Sequence, residues 1–265
     1  RVESNGNANM LFVDGGNDKV GIGTSAFVDT SKVQIEGAKA LTSGILQGQL
    51  NISDSTAVAT GAGGGISFSG NYNGTSKTTF GSIEGSKDNG TSGHYGASLV
   101  FKTRSNGGAN AENMRIDSSG NVTMPAQPAF SVHKNGTDQN DIGTGDVTVT
   151  WAAERFDVGS NFGAAGFTAP VTGKYQLQAS IRFDNLDASH NYMMVVIKTS
   201  NENYRFIIDP DFGQDAAFFT ISGSILADMD ASDTAIIFVT RDGGASISDI
   251  DGDAEYTHFS GYLAC

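Results

Sequence analysis

The sequence predicts an all-β protein in which a Gly-rich region of short hairpins is followed by a compact β-sandwich. The first observation is composition, because 35 glycines and a charged content of only 17% are typical of short strands joined by tight turns. The second is pattern: strand candidates recur along residues 129–265 with no convincing helix between them. The third is charge. Residues 1–127 hold ten acidic and nine basic side chains, and residues 128–265 hold nineteen and seven, so the second region carries nearly all of the net charge of −13.

These properties exclude several classes of function. The second region lacks the basic footprint that nucleic-acid binding requires, so no nucleic acid is expected as a partner. No run approaches the roughly 18 apolar residues of a membrane span, so no membrane insertion is expected. The single cysteine, Cys265, rules out a disulfide within one chain. The chain begins at Arg1 without a signal pattern, and we expect it to belong to a longer protein.

Residues 1–50 are predicted to form an N-terminal shaft of hairpins. The stretch NMLFVDGGNDKVGIG (9–23) places two apolar strands around a turn of Asp, Gly and Asn, which is typical of a hairpin. Residues 32–37 (KVQIEG) alternate and predict a third strand. Residues 38–50 are compatible with one marginal helix or with another extended stretch. A second stretch, NMRIDSSGNVTMP (113–125), has the same order of Asn-Met, strand residues, Asp, turn residues and Val. The predicted hairpin therefore occurs twice.

Residues 51–127 are predicted to form a Gly-rich β knob or shaft. Three strand candidates, GISFSG, TTFGSIEG and ASLVFKTR, are separated by Asn-Gly and Gly-Gly turns. Glycine within strands leaves little side chain to bury and often marks the close approach of another backbone. A thin sheet of this kind gains stability when identical chains wrap around one another, so the region predicts an oligomer.

Residues 128–265 are predicted to form the sandwich. Pro125 and Pro128 bracket the sequence PAQP, which disfavours a helix and indicates a stiff extended link between the two regions. The stretch GKYQLQASIRF (173–183) alternates, with Tyr175 and every second residue apolar, as in a strand with one buried face. The run AIIFV (235–239) predicts a central strand covered on both faces. A sandwich or jelly roll follows from this pattern.

The same region resembles the C1q/tumour-necrosis-factor-like domains. The stretch FTAPVTGKYQLQASI (167–181) is similar to their signature segment, RFDVGSNF (155–162) is similar to the Phe-Asp segment before it, and FSGYLAC (259–265) is similar to their closing strand. Leu177 and Ala179 depart from the pattern, since aromatic residues are common there. The resemblance implies a ten-stranded jelly roll that forms a homotrimeric binding head. The motif residues are Phe156, Phe167, Pro170, Gly173, Tyr175, Phe259 and Gly261.

The first 127 residues resemble a different group of proteins. LFVDGGNDKVGIGTS, NMRIDSSGNVTMP and the Gly-rich block between them are similar to hairpin modules of bacteriophage tail fibres. This resemblance implies a trimeric shaft and knob on the three-fold axis of the head.

Four carboxylates form the candidate metal site. Asp249, Asp251, Asp253 and Glu255 occupy alternate positions, and carboxylate oxygens are suitable ligands for Ca²⁺. The EF-hand spacing is not met, because Gly252 stands at the fourth position of the pattern and not at the sixth. The C1q-like resemblance adds to the case, since some C1q-like trimers carry Ca²⁺ near the axis. The alternative is a solvated acidic loop.

No sequence pattern indicates catalysis. The chain lacks G-x-S-x-G, HExxH and P-loop motifs, and no two carboxylates stand out as a glycosidase pair. The four histidines have no metal-ligand spacing and are expected as isolated surface residues. We therefore predict that the protein is not an enzyme.

The functional prediction is a structural and binding component of a virion fibre, located on the virion or outside the cell. It is expected to form a homotrimer, to join other virion proteins through a part N-terminal to Arg1, and to present its head to a host-surface glycan or protein. The alternatives are a fibre that decorates the capsid or is purely structural, and a secreted bacterial C1q-like adhesin or extracellular structural protein.

Overall fold

The computed structural model describes residues 2–4, 7–27, 30–37, 40–42, 45–244 and 248–265. All regular structure in these residues is β-strand, which confirms the predicted fold class, and no helix that could cross a membrane occurs among them. The chain divides into two compact units, Arg1–Thr123 and Met124–Cys265. The division lies four residues before the predicted start of the sandwich at residue 128.

The first unit is built from small antiparallel sheets. Its described strands are β1 (Val2–Ser4), β2 (Asn7–Asp14), β3 (Lys19–Ile22), β4 (Val33–Ile35), β5 (Ala40–Thr42), β6 (Ile45–Gln47), β7 (Gly65–Asn71), β8 (Lys77–Lys87), β9 (Ala97–Arg104), β10 (Asn110–Ile116) and β11 (Val122–Thr123). Strands β1 to β4 form one sheet in which only β3 and β4 are parallel, and β5 pairs with β6. Strands β7 to β11 form an antiparallel meander, called here the Gly-rich sheet.

The helix alternative for residues 38–50 is not what the structure contains. The described part of this stretch includes the antiparallel strands β5 and β6, so the extended alternative holds there. Residues 38, 39, 43 and 44 lie outside the described residues.

The repeated hairpin has one turn design in both copies. In the first copy Asp14 accepts hydrogen bonds from the backbone N–H groups of Gly16 and Asn17, and from the Asn17 side chain at 2.9 Å. In the second, Asp117 accepts from the backbone N–H of Asn121 at 2.9 Å and from its side chain at 3.0 Å. These hydrogen bonds lower the pKa of both carboxyls. The Asp and Asn shared by the two sequences therefore close the turn.

The second unit is a sandwich of two sheets. Its described strands are β12 (Ala129–His133), β13 (Gln139–Ile142), β14 (Gly145–Thr148), β15 (Ala153–Val158), β16 (Phe162–Gly163), β17 (Gly166–Thr168), β18 (Gly173–Leu186), β19 (His190–Thr199), β20 (Asn203–Ile208), β21 (Ala216–Met229), β22 (Thr234–Gly243), β23 (Ser248–Ile250) and β24 (His258–Leu263). The larger sheet has the order β13-β23-β18-β24-β12-β15, with β21 on the other edge of β18. The smaller has the order β16-β17-β22-β19-β20, with β14 also on β22.

The core between these sheets confirms the predicted strand patterns. Along β18 the apolar residues from Tyr175 to Phe183 are fully buried at every second position. Strand β22 lies between β19 on one edge and β14 and β17 on the other, and Ala235, Ile237 and Val239 have no exposed surface. Non-sequential neighbours such as β12 and β24 show the crossover connections of a jelly roll.

Candidate assembly and binding surfaces

Several residues of the C1q-like signature pack together at one end of the core. Phe167 on β17 and Phe259 on β24 both contact Phe130 of β12, with ring centroids 4.6 and 4.9 Å apart. Tyr175 is fully buried beside Phe167, and its hydroxyl donates to the carbonyl of Val171, 2.8 Å away. Burial raises the pKa of the Tyr175 phenol. The cluster joins four strands from both sheets and is structural.

The small residues of the signature have steric roles. A Cβ on Gly173 would lie 2.7 Å from the carbonyl oxygen of Cys265, and a Cβ on Gly261 would lie 2.6 Å from the side chain of Leu177. Pro170 is exposed in the turn before β18, where a fixed φ suits the backbone. These positions therefore hold the strand ends close together and do not form a binding site.

Phe156 lies apart from the other signature residues. It is 49% exposed on β15, and the ring that joins the core cluster is Phe162, 5.1 Å from Phe130. Phe156 lies opposite Ser131 on β12, and the neighbouring Phe130 and Val132 are the residues buried in the core, so Phe156 takes the outer face of the sheet. The sequence RFDVGSNF contains both phenylalanines, but Phe156 is on β15 and Phe162 is on β16 of the other sheet.

Two adjacent rows across the outer face of the larger sheet are uncharged, and they lie between the pair Lys174–Asp228 and the pair Arg182–Asp184. One row contains Leu226, Gln176, Tyr262, Ala129 and Val158, and the next contains Ser224, Gln178, Ser260, Ser131 and Phe156. Leu226 and Tyr262 are 57% and 52% exposed. Sequence reasoning placed polar residues of β18 on this face but missed that the neighbouring strands add exposed apolar side chains. The face stands out because the surrounding unit carries most of the chain's negative charge.

The Gly-rich sheet has two different faces. Cross-strand partners place one apolar row, Ile66, Ile83, Phe101 and Met114, beside a second of Leu99, Ile116 and Val122. Phe68 lies on the same face and is 53% exposed. We call this the apolar face of the Gly-rich sheet. It leaves large side chains in contact with water in a single chain.

The opposite face of the Gly-rich sheet is covered by its own charged side chains. Lys102 pairs with Glu84 at 2.6 Å, and Arg115 pairs with Glu112 at 2.7 Å. Val100 is nearly fully buried, directly between Glu84 and Arg115 in the cross-strand row. The long side chains therefore shield this face, and the apolar face is the one that lacks cover.

The predicted metal ligands do not converge. Asp249 accepts a hydrogen bond from the backbone of Asp141 at 2.8 Å, Asp253 accepts one from the backbone of Glu255 at 3.0 Å, and Asp251 is paired with Arg182. In the part of the chain that the structure describes, no three Asp, Glu, His or Cys side chains are arranged to hold a metal ion. The calcium site stays a prediction, and the structure gives these carboxylates other partners.

Arg182 organises the acidic loop. Its guanidinium forms an ion pair with Asp251, which is 4% exposed, and lies 3.9 Å from the ring centre of Tyr256 and 4.8 Å from that of Phe218. Its Nε lies 3.6 Å from Asp184, whose pKa is raised by burial and by nearby Asp251. The arrangement is a cation held between two aromatic rings and buried carboxylates. It attaches residues 251–256 to the outer face of the larger sheet, at strand β18.

Two of the histidines differ from the prediction of isolated surface residues. His190 is buried, with Nδ1 3.1 Å from the carbonyl of Gly243 and Nε2 3.2 Å from the hydroxyl of Ser248. His258 lies directly opposite His133 on adjacent strands. Burial lowers the pKa of His258, and the nearby charges of Arg155 and His133 act in the same direction. Pairings between strands distant in sequence bring these groups together, which spacing alone does not reveal.

A cavity of about 610 Å³ opens beside Trp151 in the second unit. Strand β14 pairs with Phe238–Arg241 of β22, and β17 pairs with Thr234–Ala235 on the same edge, so Ile236 lies at the gap between them. The cavity is bordered by Ile236, by residues 148–154 and by the hairpin of residues 162–166.

The comparisons with known proteins give structural neighbours only. No family model and no curated protein matches the chain. Solved structures that match include the globular domain of zebrafish complement 1qA (16% identity, TM-score 0.37), murine APRIL at pH 8.5 (14%, 0.38) and Eiger TNF from S. frugiperda (16%, 0.37). They cover 52%, 52% and 53% of this chain and 98%, 98% and 94% of their own. At these values the likeness carries no functional argument, and the jelly-roll description stands on the chain's own strand pairing.

Proposed function

We propose that this chain is a non-enzymatic, homotrimeric component of a virion fibre and resembles a bacteriophage tail fibre. It would present its second unit, Met124–Cys265, to a host-surface receptor. Because residues 128–265 carry most of the negative charge, this unit is called the acidic unit below. The proposal combines self-association, for which the two units offer separate faces, with the fibre-like hairpins of the first 127 residues. Three identical heads on one rigid body would gain avidity from individually weak contacts. Other virion proteins would join the fibre through its N-terminal side.

The trimer proposal rests mainly on the two uncharged rows across the outer face of the larger sheet. Interface centres are depleted of charge and enriched in aromatic residues, and this face contains Tyr262, Phe156 and Leu226 in an otherwise acidic unit. Small serines between these anchors allow close approach of another copy.

The apolar face of the Gly-rich sheet supports the same proposal independently. Its counterpart face is already closed by ion pairs, so the uncovered side has no partner within the sheet. A contiguous exposed apolar surface on a soluble protein is typical of an interaction site. If three copies packed together through these faces, the apolar side chains would lie in a shared interior and would no longer contact water.

Light scattering coupled to size exclusion tests the assembly. We expect the mass of three chains of 27.5 kDa at micromolar concentration. Leu226→Asp should place a charge in the proposed interface and shift the mass toward one chain. Val171→Asp is the matched control, because Val171 is also exposed and apolar but lies in a turn away from the outer face. A monomeric wild-type protein would refute the trimer.

The Gly-rich sheet is tested by a separate pair of variants. Phe68→Asp should weaken assembly, whereas Tyr95→Asp should not, since Tyr95 is almost fully exposed outside the strands. If both variants assemble like the wild type, the apolar face is not part of the interface.

Receptor presentation is tested by competition. Purified protein should block adsorption of the parent virus to its host cells, and the Val171→Asp control should block equally. Unchanged adsorption at saturating protein would favour a purely structural role over receptor presentation.

A further inference from the structure

We propose that the cavity beside Trp151 is a binding site for a neutral pyranose sugar. The inference rests on the proposed function, because it assigns the ligand class of the head. It goes further by naming the residues that would contact the ligand.

The cavity has a rigid aromatic wall. Trp151 lines it, and its indole stacks on the buried ring of Phe259 at 6.1 Å between centroids and 30° between planes. Phe162 forms a second aromatic part of the lining and is held against Phe130. Aromatic rings whose orientation is fixed by the core provide contact area at little cost in conformational entropy. The apolar C–H face of a pyranose is suited to such a ring.

The polar groups of the lining suit hydroxyls. Glu154 and Thr148, which are both exposed, line the cavity together with residues 149–153. A few placed polar groups in a largely apolar cavity of roughly 300–1,000 Å³ are typical of small-molecule sites. No basic side chain is among the described lining residues, and the unit is strongly acidic, so a neutral ligand is favoured over an anion.

The entrance is free of bulky side chains. The tip of the β16–β17 hairpin is the sequence Gly-Ala-Ala-Gly at residues 163–166, and Ala164 and Ala165 are exposed. Thr150, which also lines the cavity, is kept in place because its backbone N–H and hydroxyl both donate to Gln139, at 3.0 and 3.1 Å. The lining therefore combines small exposed side chains with a segment that is held by internal hydrogen bonds.

The test uses the assembled protein and its single tryptophan. Because Trp151 is the only Trp in the chain, its fluorescence reports this cavity alone. We would titrate glucose, galactose, mannose, N-acetylglucosamine, maltose and lactose to millimolar concentrations, with N-acetylneuraminic acid and cyclohexanol as comparison probes. We expect a saturable change with at least one neutral sugar, and calorimetry should give the same dissociation constant.

Two variants and one control locate the site. Ala165→Phe should fill the entrance from an exposed position and weaken binding tenfold or more, and Glu154→Gln should weaken it about tenfold by removing a charged acceptor. Ala231→Phe adds the same bulk in an exposed turn outside the lining and should leave binding unchanged. Melting curves would show that each variant is folded.

Several outcomes would overturn the inference. The first two are the absence of a saturable response to any neutral sugar, and a response only to cyclohexanol or only to the anionic sugar. The third is an unchanged affinity in Ala165→Phe. The fourth is a Trp151 that acrylamide cannot quench because another copy covers the cavity. Mass measured on the same samples separates the two proposals. An assembled protein without a sugar response would leave the fibre proposal intact, whereas a monomer that binds sugar would refute the trimer alone.

Discussion

Both units of this chain contain a sheet with one apolar face, but only one unit covers that face with a second sheet. In the acidic unit the larger sheet covers its apolar face with a second sheet, and Phe130 and Phe259 have no exposed surface. In the Gly-rich sheet the apolar face has no second layer, and Phe68 is half exposed. The first arrangement buries its core within one chain, and in the proposed assembly the second would be covered by other copies. The contrast predicts that the acidic unit keeps its fold as a single chain, whereas the Gly-rich sheet gains much of its stability on assembly.

The largest expected effect separates the two kinds of stability. Phe130→Ala removes a ring that contacts Phe162, Phe167 and Phe259, so it should lower the free energy of unfolding of the acidic unit by about 3–5 kcal/mol. Denaturant melts followed by Trp151 fluorescence would measure this, and the loss should be independent of protein concentration. A similar loss from Phe68→Ala under conditions where the protein is monomeric would contradict the comparison.

A second variant tests whether the acidic loop belongs to the sandwich. Asp251→Asn leaves the Arg182 guanidinium partly buried without its closest charge partner, and should cost about 1–3 kcal/mol. Asp253→Asn is the control, because Asp253 is exposed and its carboxylate accepts a hydrogen bond from the backbone of Glu255, which an amide oxygen can also accept. Limited proteolysis should cut residues 251–256 faster in Asp251→Asn. Equal stability of the two variants would show that the Arg182 pairing is unimportant.

Ion pairs on the Gly-rich sheet should contribute less to the free energy of unfolding than the pair of Arg182 and Asp251. Glu84→Gln removes the partner of Lys102, but both side chains are about one third exposed, so the expected cost is only about 0.2–1 kcal/mol. The effect should shrink further at high salt, which screens exposed pairs. A cost as large as that of Asp251→Asn would mean that this face is less open to solvent than its exposure indicates.

The smallest effect is a dependence on pH in the acidic unit. The pKa of His258 is lowered from 6.5 in the folded chain by burial, with Arg155 and His133 adding to the shift, so the unfolded chain takes up the proton more readily. Stability from this group is complete above pH 6.5 and is lost as the pH falls through the lowered pKa. Melting midpoints between about pH 8 and about pH 5 should fall less steeply in His258→Gln than in the wild type. If the melting midpoints of the two proteins change equally with pH, His258 does not contribute to the pH dependence of stability.

The sequence predicted what depends on local pattern. The alternation of residues 173–183 predicted the buried side of β18, and the turn residues predicted both copies of the hairpin. It did not predict partners that only the register brings together. Arg182 and Asp251 are separated by 69 residues, and neither position reveals the other. The outward side of β18 was similarly predicted as merely polar, because Leu226 and Tyr262 come from neighbouring strands.

The candidate metal site also shows that the spacing of residues does not predict their partners. Alternate carboxylates at positions 249 to 255 are a pattern that either a cation or a set of internal partners can explain. The partners that the structure shows, Arg182 for Asp251 and the backbone of Asp141 for Asp249, are not contained in the spacing. Phe156 is comparable, because its face is set by the pairing of β15 with β12, which the segment RFDVGSNF does not contain.

The pairing of β12 with β24 makes the acidic unit transferable. Ala129 lies opposite Tyr262, so the polypeptide enters and leaves this unit on adjacent strands. A domain with that geometry can be spliced into an exposed loop of an unrelated protein by two short linkers, and its strands can be reordered by opening a loop such as residues 209–215.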